Sequence, residues 1–124
     1  MSESSNVLKE KSYKFAIRIV NLYKHLIADF KEYVLSKQVL RSGTSIGANV
    51  AEANQAQSDP DFISKLSIAL KETVETVYWL ELLKDTNYIT ETQAESLLQD
   101  CTELKAILIA SIKTKKRNTV SKSK

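Results

Sequence analysis

The stretch Phe15-Ala16-Ile17-Arg18-Ile19-Val20-Asn21-Leu22-Tyr23-Lys24-His25-Leu26-Ile27-Ala28-Asp29-Phe30 decides the fold class. Phe15, Ile19, Leu22, Leu26 and Phe30 recur at steps of four and three, the repeat of one face of an α-helix. Ala16, Val20, Tyr23 and Ile27 form a second stripe beside the first. The combined face is wider than the seam of a two-stranded coiled coil and suits a helix packed inside a bundle. Lys14, Arg18 and Lys24 fall outside both stripes. The spacing predicts a first helix near residues 8–30.

Three more helices follow. The second, near 33–56, has no marked start and contains Ser42-Gly43-Thr44-Ser45-Ile46-Gly47-Ala48-Asn49. Each glycine inside a helix costs about 1 kcal/mol relative to alanine, yet the period continues through Val39, Gly43, Ile46, Val50 and Ala53. A tertiary contact must offset that weakness, and small side chains predict close approach of another helix. Ser58-Asp59-Pro60 opens the third, near 59–85, with Ser58 or Asp59 as cap and Pro in the first turn. Its main face is Phe62, Leu66, Ala69, Thr73, Val77 and Leu80, extended by Ile63, Leu70 and Val74, and Asn87 is its expected left-handed terminator. Thr90-Glu91-Thr92-Gln93 has the form of a capping box and opens the fourth, near 91–113, with Ala94, Leu97, Cys101, Leu104 and Leu108 on its apolar face. Only two glycines and one proline occur in 124 residues, too few for the turns of an all-β fold. Short connections predict an all-α, antiparallel, up-down-up-down four-helix bundle over residues 1–112. Residues 113–124 are expected to form a basic, disordered tail.

The net charge of +3 is unevenly spread. Residues 1–56 carry +3, residues 57–112 carry −6, and six cations without an acid fall in 113–124. Such asymmetry suits either a polyanion-facing surface or two protein faces that attract each other. The tail likewise has two readings, phosphate contact or a solubilising end, and the second is favoured. Without an aromatic side chain it has nothing to stack on bases. No apolar run approaches the length of a membrane span, and the N-terminus lacks an apolar secretory core. A cytoplasmic protein is expected.

Catalytic chemistry finds little support in the sequence. His25 is the only histidine, and its helical neighbours Asn21, Leu22, Ala28 and Asp29 do not make a metal set, so a structural role is favoured. Glu72 and Glu75 form a Glu-x-x-Glu pair, but di-iron bundles require Glu-x-x-His motifs and further inward carboxylates. Gly43-x-x-x-Gly47 lacks the Lys-Ser/Thr of a phosphate-binding loop. Cys101, the single cysteine, sits among leucines as a small buried hydrophobe. No enzyme activity, metal, cofactor, small-molecule substrate or membrane partner is expected.

Two polar stripes stand out. Ser45, Asn49 and Glu52 lie at steps of four and three on the second helix. Lys65, Glu72, Glu75 and Trp79 share a face of the third, with Lys71 at its edge. They form either a solvated surface or a buried or subunit-interface network in which Lys65 or Lys71 partners the second helix.

Arg41-Ser42-Gly43-Thr44-Ser45-Ile46-Gly47-Ala48-Asn49-Val50-Ala51-Glu52-Ala53 resembles the central signature of the four-helix-bundle family of 23S rRNA intervening-sequence proteins. Phe62 to Glu72, with Glu75 and Tyr78-Trp79-Leu80, is similar to that family's second signature, and Tyr88-Ile89 to its corner between the last two helices. The resemblance covers about residues 12–112, with both long motifs in order. The family name describes a genomic location rather than an activity. A related branch, the accessory proteins of diversity-generating retroelements, assists a reverse transcriptase, binds nucleic acid and assembles as ring-shaped homopentamers. The resemblance thus implies a homo-oligomer, pentamer first and dimer second. It implies no catalytic residue. The leading expectation is a non-enzymatic oligomeric scaffold that associates with RNA or a ribonucleoprotein. Its cationic contacts would be Lys9, Lys11, Lys14, Arg18, Lys24 and Arg41. The rival is a purely protein-binding module.

Overall fold

The computed structural model describes residues 3–123, with side-chain surroundings for residues 7–120. Four helices fill it: α1 (Glu3–Phe30), α2 (Leu35–Ala53), α3 (Asp59–Asp85) and α4 (Glu91–Ser123). Among the described residues there is no strand.

The connections follow their local chemistry. Ser58 is extended and its hydroxyl accepts from the Asp61 amide at 3.2 Å, while Pro60 occupies the first turn of α3. Asn87 sits at φ 69° beyond the end of α3, as expected of a left-handed terminator. The amides of Asn87 and Tyr88 donate to the carbonyls of Lys84 and Leu83, the paired bonds of a Schellman turn. The capping box is reciprocal: the Thr90 amide donates to Gln93 Oε1 at 2.8 Å, and the Gln93 amide donates to Thr90 Oγ1 at 3.1 Å.

The start of α2 is marked after all, by Glu32. Its carboxylate accepts from the amides of Val34 (3.2 Å), Leu35 (3.0 Å) and Ser36 (2.7 Å), while Ser36 Oγ donates back to the Glu32 carbonyl. A glutamate two residues ahead of the cap position is not the usual Ser/Thr/Asp/Asn signature, so the helix starts two residues later than its periodicity suggests. Partial burial pushes the Glu32 carboxyl up, but the three amides and the Ser36 hydroxyl outweigh it and hold the group below its ordinary value of 4.5. A depressed folded-state pKa gives stability that is complete above about pH 4.5 and fades as pH falls through the folded value. Glu32→Gln is therefore expected to lower the thermal midpoint at neutral pH and to narrow the gap between midpoints at pH 7 and pH 3. An unchanged gap would contradict the assignment.

α1 starts five residues earlier than expected, and Leu8 joins the core at 2% exposure. α4 departs most from expectation. In place of a disordered tail from residue 113, the helix runs on to Ser123. Its added turns lie against the start of α3: Thr119 Oγ1 donates to Asp59 Oδ2 at 2.9 Å, Lys115 Nζ lies 3.7 Å from Asp59 Oδ1, and the same ammonium sits 4.7 Å from the centre of the Phe62 ring. Lys124 lies outside the described residues, and Lys122 outside those whose side chains are described.

The core takes Phe15, Ile19 and Leu26 from α1, Val39, Ile46 and Val50 from α2, Leu66, Leu80 and Leu83 from α3, and Leu104 and Leu108 from α4. Phe30, expected in the first helix's buried stripe, is instead 45% exposed and packs edge-on against His25 and Tyr88. The helix ends there, and Lys31 turns away at φ 51°. Partners run in opposite order along neighbouring helices. Arg41 of α2 meets Glu75 of α3 and Glu52 meets Lys65, while Lys11 and Arg18 of α1 meet Glu103 and Asp100 of α4.

Candidate interaction site

Local chemistry in α2 gives its two flanks different work. The flank toward α1 is bare: a methyl group added to Gly43 would lie 2.7 Å from a side-chain carbon of Ile19, and one added to Gly47 would lie 3.2 Å from the backbone oxygen of Ser12. The close approach expected of the small-residue segment is present, and its partner is α1.

The flank toward α3 is polar. Ser42 and Thr76, both fully buried, pair through their hydroxyls at 3.0 Å, and Thr76 also donates to its own helix at the Glu72 carbonyl. Beside them Arg41 reaches across to Glu72 at 3.2 Å and to Glu75, which also accepts from the Trp79 indole N–H at 2.9 Å. Tyr78 packs edge-on against Trp79, with ring centres 5.0 Å apart. One guanidinium spans two carboxylates a turn apart, an arrangement suited to its forked donors. The Glu72 side chain is only 19% exposed and Arg41 is 50% exposed, so the network forms a semi-buried brace open to solvent on the Arg41 side.

The remaining residues of the two stripes divide. Lys65 pairs with Glu52 at 3.7 Å in a partly exposed bridge. The alternative partner, Lys71, is exposed and makes no ion pair among the described residues. Among the described residues the hydrogen bonds of Asn49 and Ser45 stay within α2: the Asn49 amide donates to the Ser45 carbonyl, and Ser45 Oγ donates to the Arg41 carbonyl. Serine and asparagine in mid-helix commonly turn back on the preceding turn in this way. The interhelical polar contact nearest the core is instead Ser42 with Thr76, residues whose identity and spacing also fit ordinary small helix positions.

The expected cationic contacts fare unevenly. Lys11 bridges to Glu103, Lys14 to Glu10 at 2.8 Å, and Arg18 to Asp100 at 2.5 Å and to Ser96 Oγ at 2.8 Å. These side chains line a shallow cleft of about 300 Å³ between α1 and α4 whose cations face carboxylates. Arg41 is held in the α2–α3 brace. Lys9 and Lys24 are exposed and make no ion pair among the described residues.

No group of three or more metal-ligating side chains comes together among the described residues. His25 Nδ1 lies 2.7 Å from Asp29 on its own helix. Cys101 is buried, and burial together with the Asp100 charge pushes its thiol up to about 12, so no thiolate nucleophile forms near neutral pH. No helix among the described residues is long and apolar enough to cross a membrane.

No curated protein matches the chain. Among solved structures, the chain is similar to a protein with unknown function from the S23 ribosomal protein family of Bacteroides thetaiotaomicron VPI-5482. The two are 63% identical and superpose with a TM-score of 0.88, over 89% of this chain and 98% of the other. The family model described as 23S rRNA-intervening sequence protein matches residues 4–110. With a match over most of its length, the chain belongs to the 23S rRNA-intervening sequence protein family.

Proposed function

We propose that the protein is a non-enzymatic scaffold that assembles with copies of itself, its protomer an antiparallel up-down-up-down bundle. The opposite order of interhelical partners supports that topology. The observation that carries the assembly reading is the outer face of α3. Ile68, Val74 and Tyr78 are 39%, 52% and 59% exposed, and Tyr78 packs edge-on against Trp79, whose indole N–H donates to Glu75, the carboxylate that Arg41 also holds. Turned away from the protomer's own core, an aliphatic and aromatic face beside a braced ion network is the composition of an interface rather than of a solvated helix. Tyr13 and Ile17 add a second exposed apolar pair on α1.

Self-assembly is favoured over phosphate binding at the cations first expected to make it. Lys11, Lys14, Arg18 and Arg41 already face carboxylates, leaving Lys9 and Lys24 of that set. A homopentamer is the first expectation and a dimer the second. Light scattering at micromolar concentration tests the reading: the parent is expected at a multiple of the protomer mass, and Val74→Ser/Tyr78→Ser at a smaller mass with its helical circular dichroism retained. A strictly monomeric parent would overturn it.

A further inference from the structure

We propose that the C-terminal half of α4 is a nucleic-acid contact, in which Lys105, Lys113, Lys116 and Arg117 track the phosphates of one strand. The site goes beyond self-assembly and does not depend on it. Helical spacing puts these four side chains along one side of α4, and Lys105, Lys113, Lys116 and Arg117 are all exposed. None of the four makes an ion pair with a carboxylate among the described residues, unlike Lys11, Lys14, Arg18 and Arg41. No acidic residue follows Glu103 in the sequence, so α4 itself supplies no neutralising neighbour.

The opposite side of the same turns fixes their orientation. Lys115 and Thr119 hold Asp59, and Lys115 covers Phe62, so the helix is pinned to the start of α3 with its cationic row outward. The α1–α4 register leaves that row open on another flank. Eight residues back from Lys11 to Glu3, matched by eight onward from Glu103, bring the start of α1 about level with Ser111. The turns bearing Lys113, Lys116 and Arg117 extend past the described part of α1, and these three residues lie beyond the part of the chain that matches the family.

From Lys105 to Arg117 the row spans about 18 Å at the helical rise, comparable to about five nucleotide steps of one strand at roughly 3.4 Å each. A membrane surface fits less well. An interfacial helix needs a broad apolar face to bury among lipids, whereas the other side of α4 is already packed on the bundle. With no aromatic side chain in the row, contact is to the backbone and independent of base sequence.

Fluorescence anisotropy with a labelled RNA hairpin at about 50 and 200 mM salt tests the proposal. The parent is expected to bind with a steep salt dependence. Lys113→Gln/Lys116→Gln/Arg117→Gln is expected to bind about tenfold or more weakly at the lower salt, with a log–log salt slope smaller by about 2–3, roughly one per lost phosphate contact. The charge-preserving Lys113→Arg/Lys116→Arg/Arg117→Lys variant is expected to bind as the parent does. Circular dichroism and light scattering on the same samples should show helicity and oligomer mass unchanged, which separates this site from the assembly surface on α3. Three results would each overturn the proposal: no parent binding at the lower salt, equal affinity and slope in the Gln variant, or a fall in oligomer mass in that variant. Binding to phosphatidylserine vesicles without binding to RNA would also overturn it, assigning the row to lipid headgroups.

Discussion

Gly47→Leu lowers the thermal midpoint of the protein, although it replaces a poor helix former with a good one. A methyl group at position 47 would already stand 3.2 Å from the Ser12 carbonyl oxygen and 3.4 Å from its carbon, and this is backbone of α1, which cannot rotate aside as a side chain can. Three further carbons must then push α1 and α2 apart. Overpacking of this kind costs about 1–3 kcal/mol, against about 1 kcal/mol gained by removing a glycine from a helix. The expected net loss is up to about 2 kcal/mol, a midpoint lower by up to roughly 10 °C for a chain of this size. Gly47→Ala separates the two effects: its single carbon needs only a few tenths of an ångström of adjustment, so it should lie close to the parent. Ala48→Leu, on the exposed side of the same turn, should change little. A raised midpoint in Gly47→Leu with unchanged oligomer size would refute close packing of the two helices.

The second large effect is expected at Thr76→Val. The substitution preserves shape but removes the hydroxyl that meets Ser42 at 3.0 Å in a fully buried position. Ser42 then loses its interhelical partner where no water reaches it, and leaving a buried polar group unsatisfied costs about 1–3 kcal/mol. Removing both hydroxyls should be milder than the sum of the single changes, because no orphan remains. The measurement is a double-mutant cycle of chemical denaturation on the parent, Thr76→Val, Ser42→Ala and the double variant. A coupling energy near zero would mean that the pair contributes nothing to holding α2 on α3. Apolar packing and the Arg41 brace would then hold them alone.

How much of this was legible in the sequence differs by element. The capping box at Thr90, the Ser58 start and the Asn87 terminator are short-range chemistry, each settled within a few residues, and each is found where the sequence places it. The start of α2 was hidden because Glu32 caps from outside the usual position. The polar stripes were visible as stripes, but their pairings were not. Helical spacing shows that Glu72, Glu75 and Trp79 share a face, whereas only the register between α2 and α3 brings Arg41 to the carboxylates and Ser42 to Thr76. The same holds for the basic face of α1, where Lys11 and Arg18 read as free cations until Glu103 and Asp100 of α4 are laid beside them.

By itself the sequence determined four amphipathic helices, two of their three connections, the continuation of the helical period through Gly43 and Gly47, and the family signatures. The helices and the connections depend on periodicity or on contacts within one turn of chain. The tertiary structure alone decided which charges are neutralised, which hydroxyls are buried together, and that residues 113–123 continue α4 instead of fraying. The helix there is held by Asp59 and Phe62, more than fifty residues away in sequence. Local composition favours a solvated basic end, and only a partner brought close by the fold of the chain can offset the entropy of ordering it.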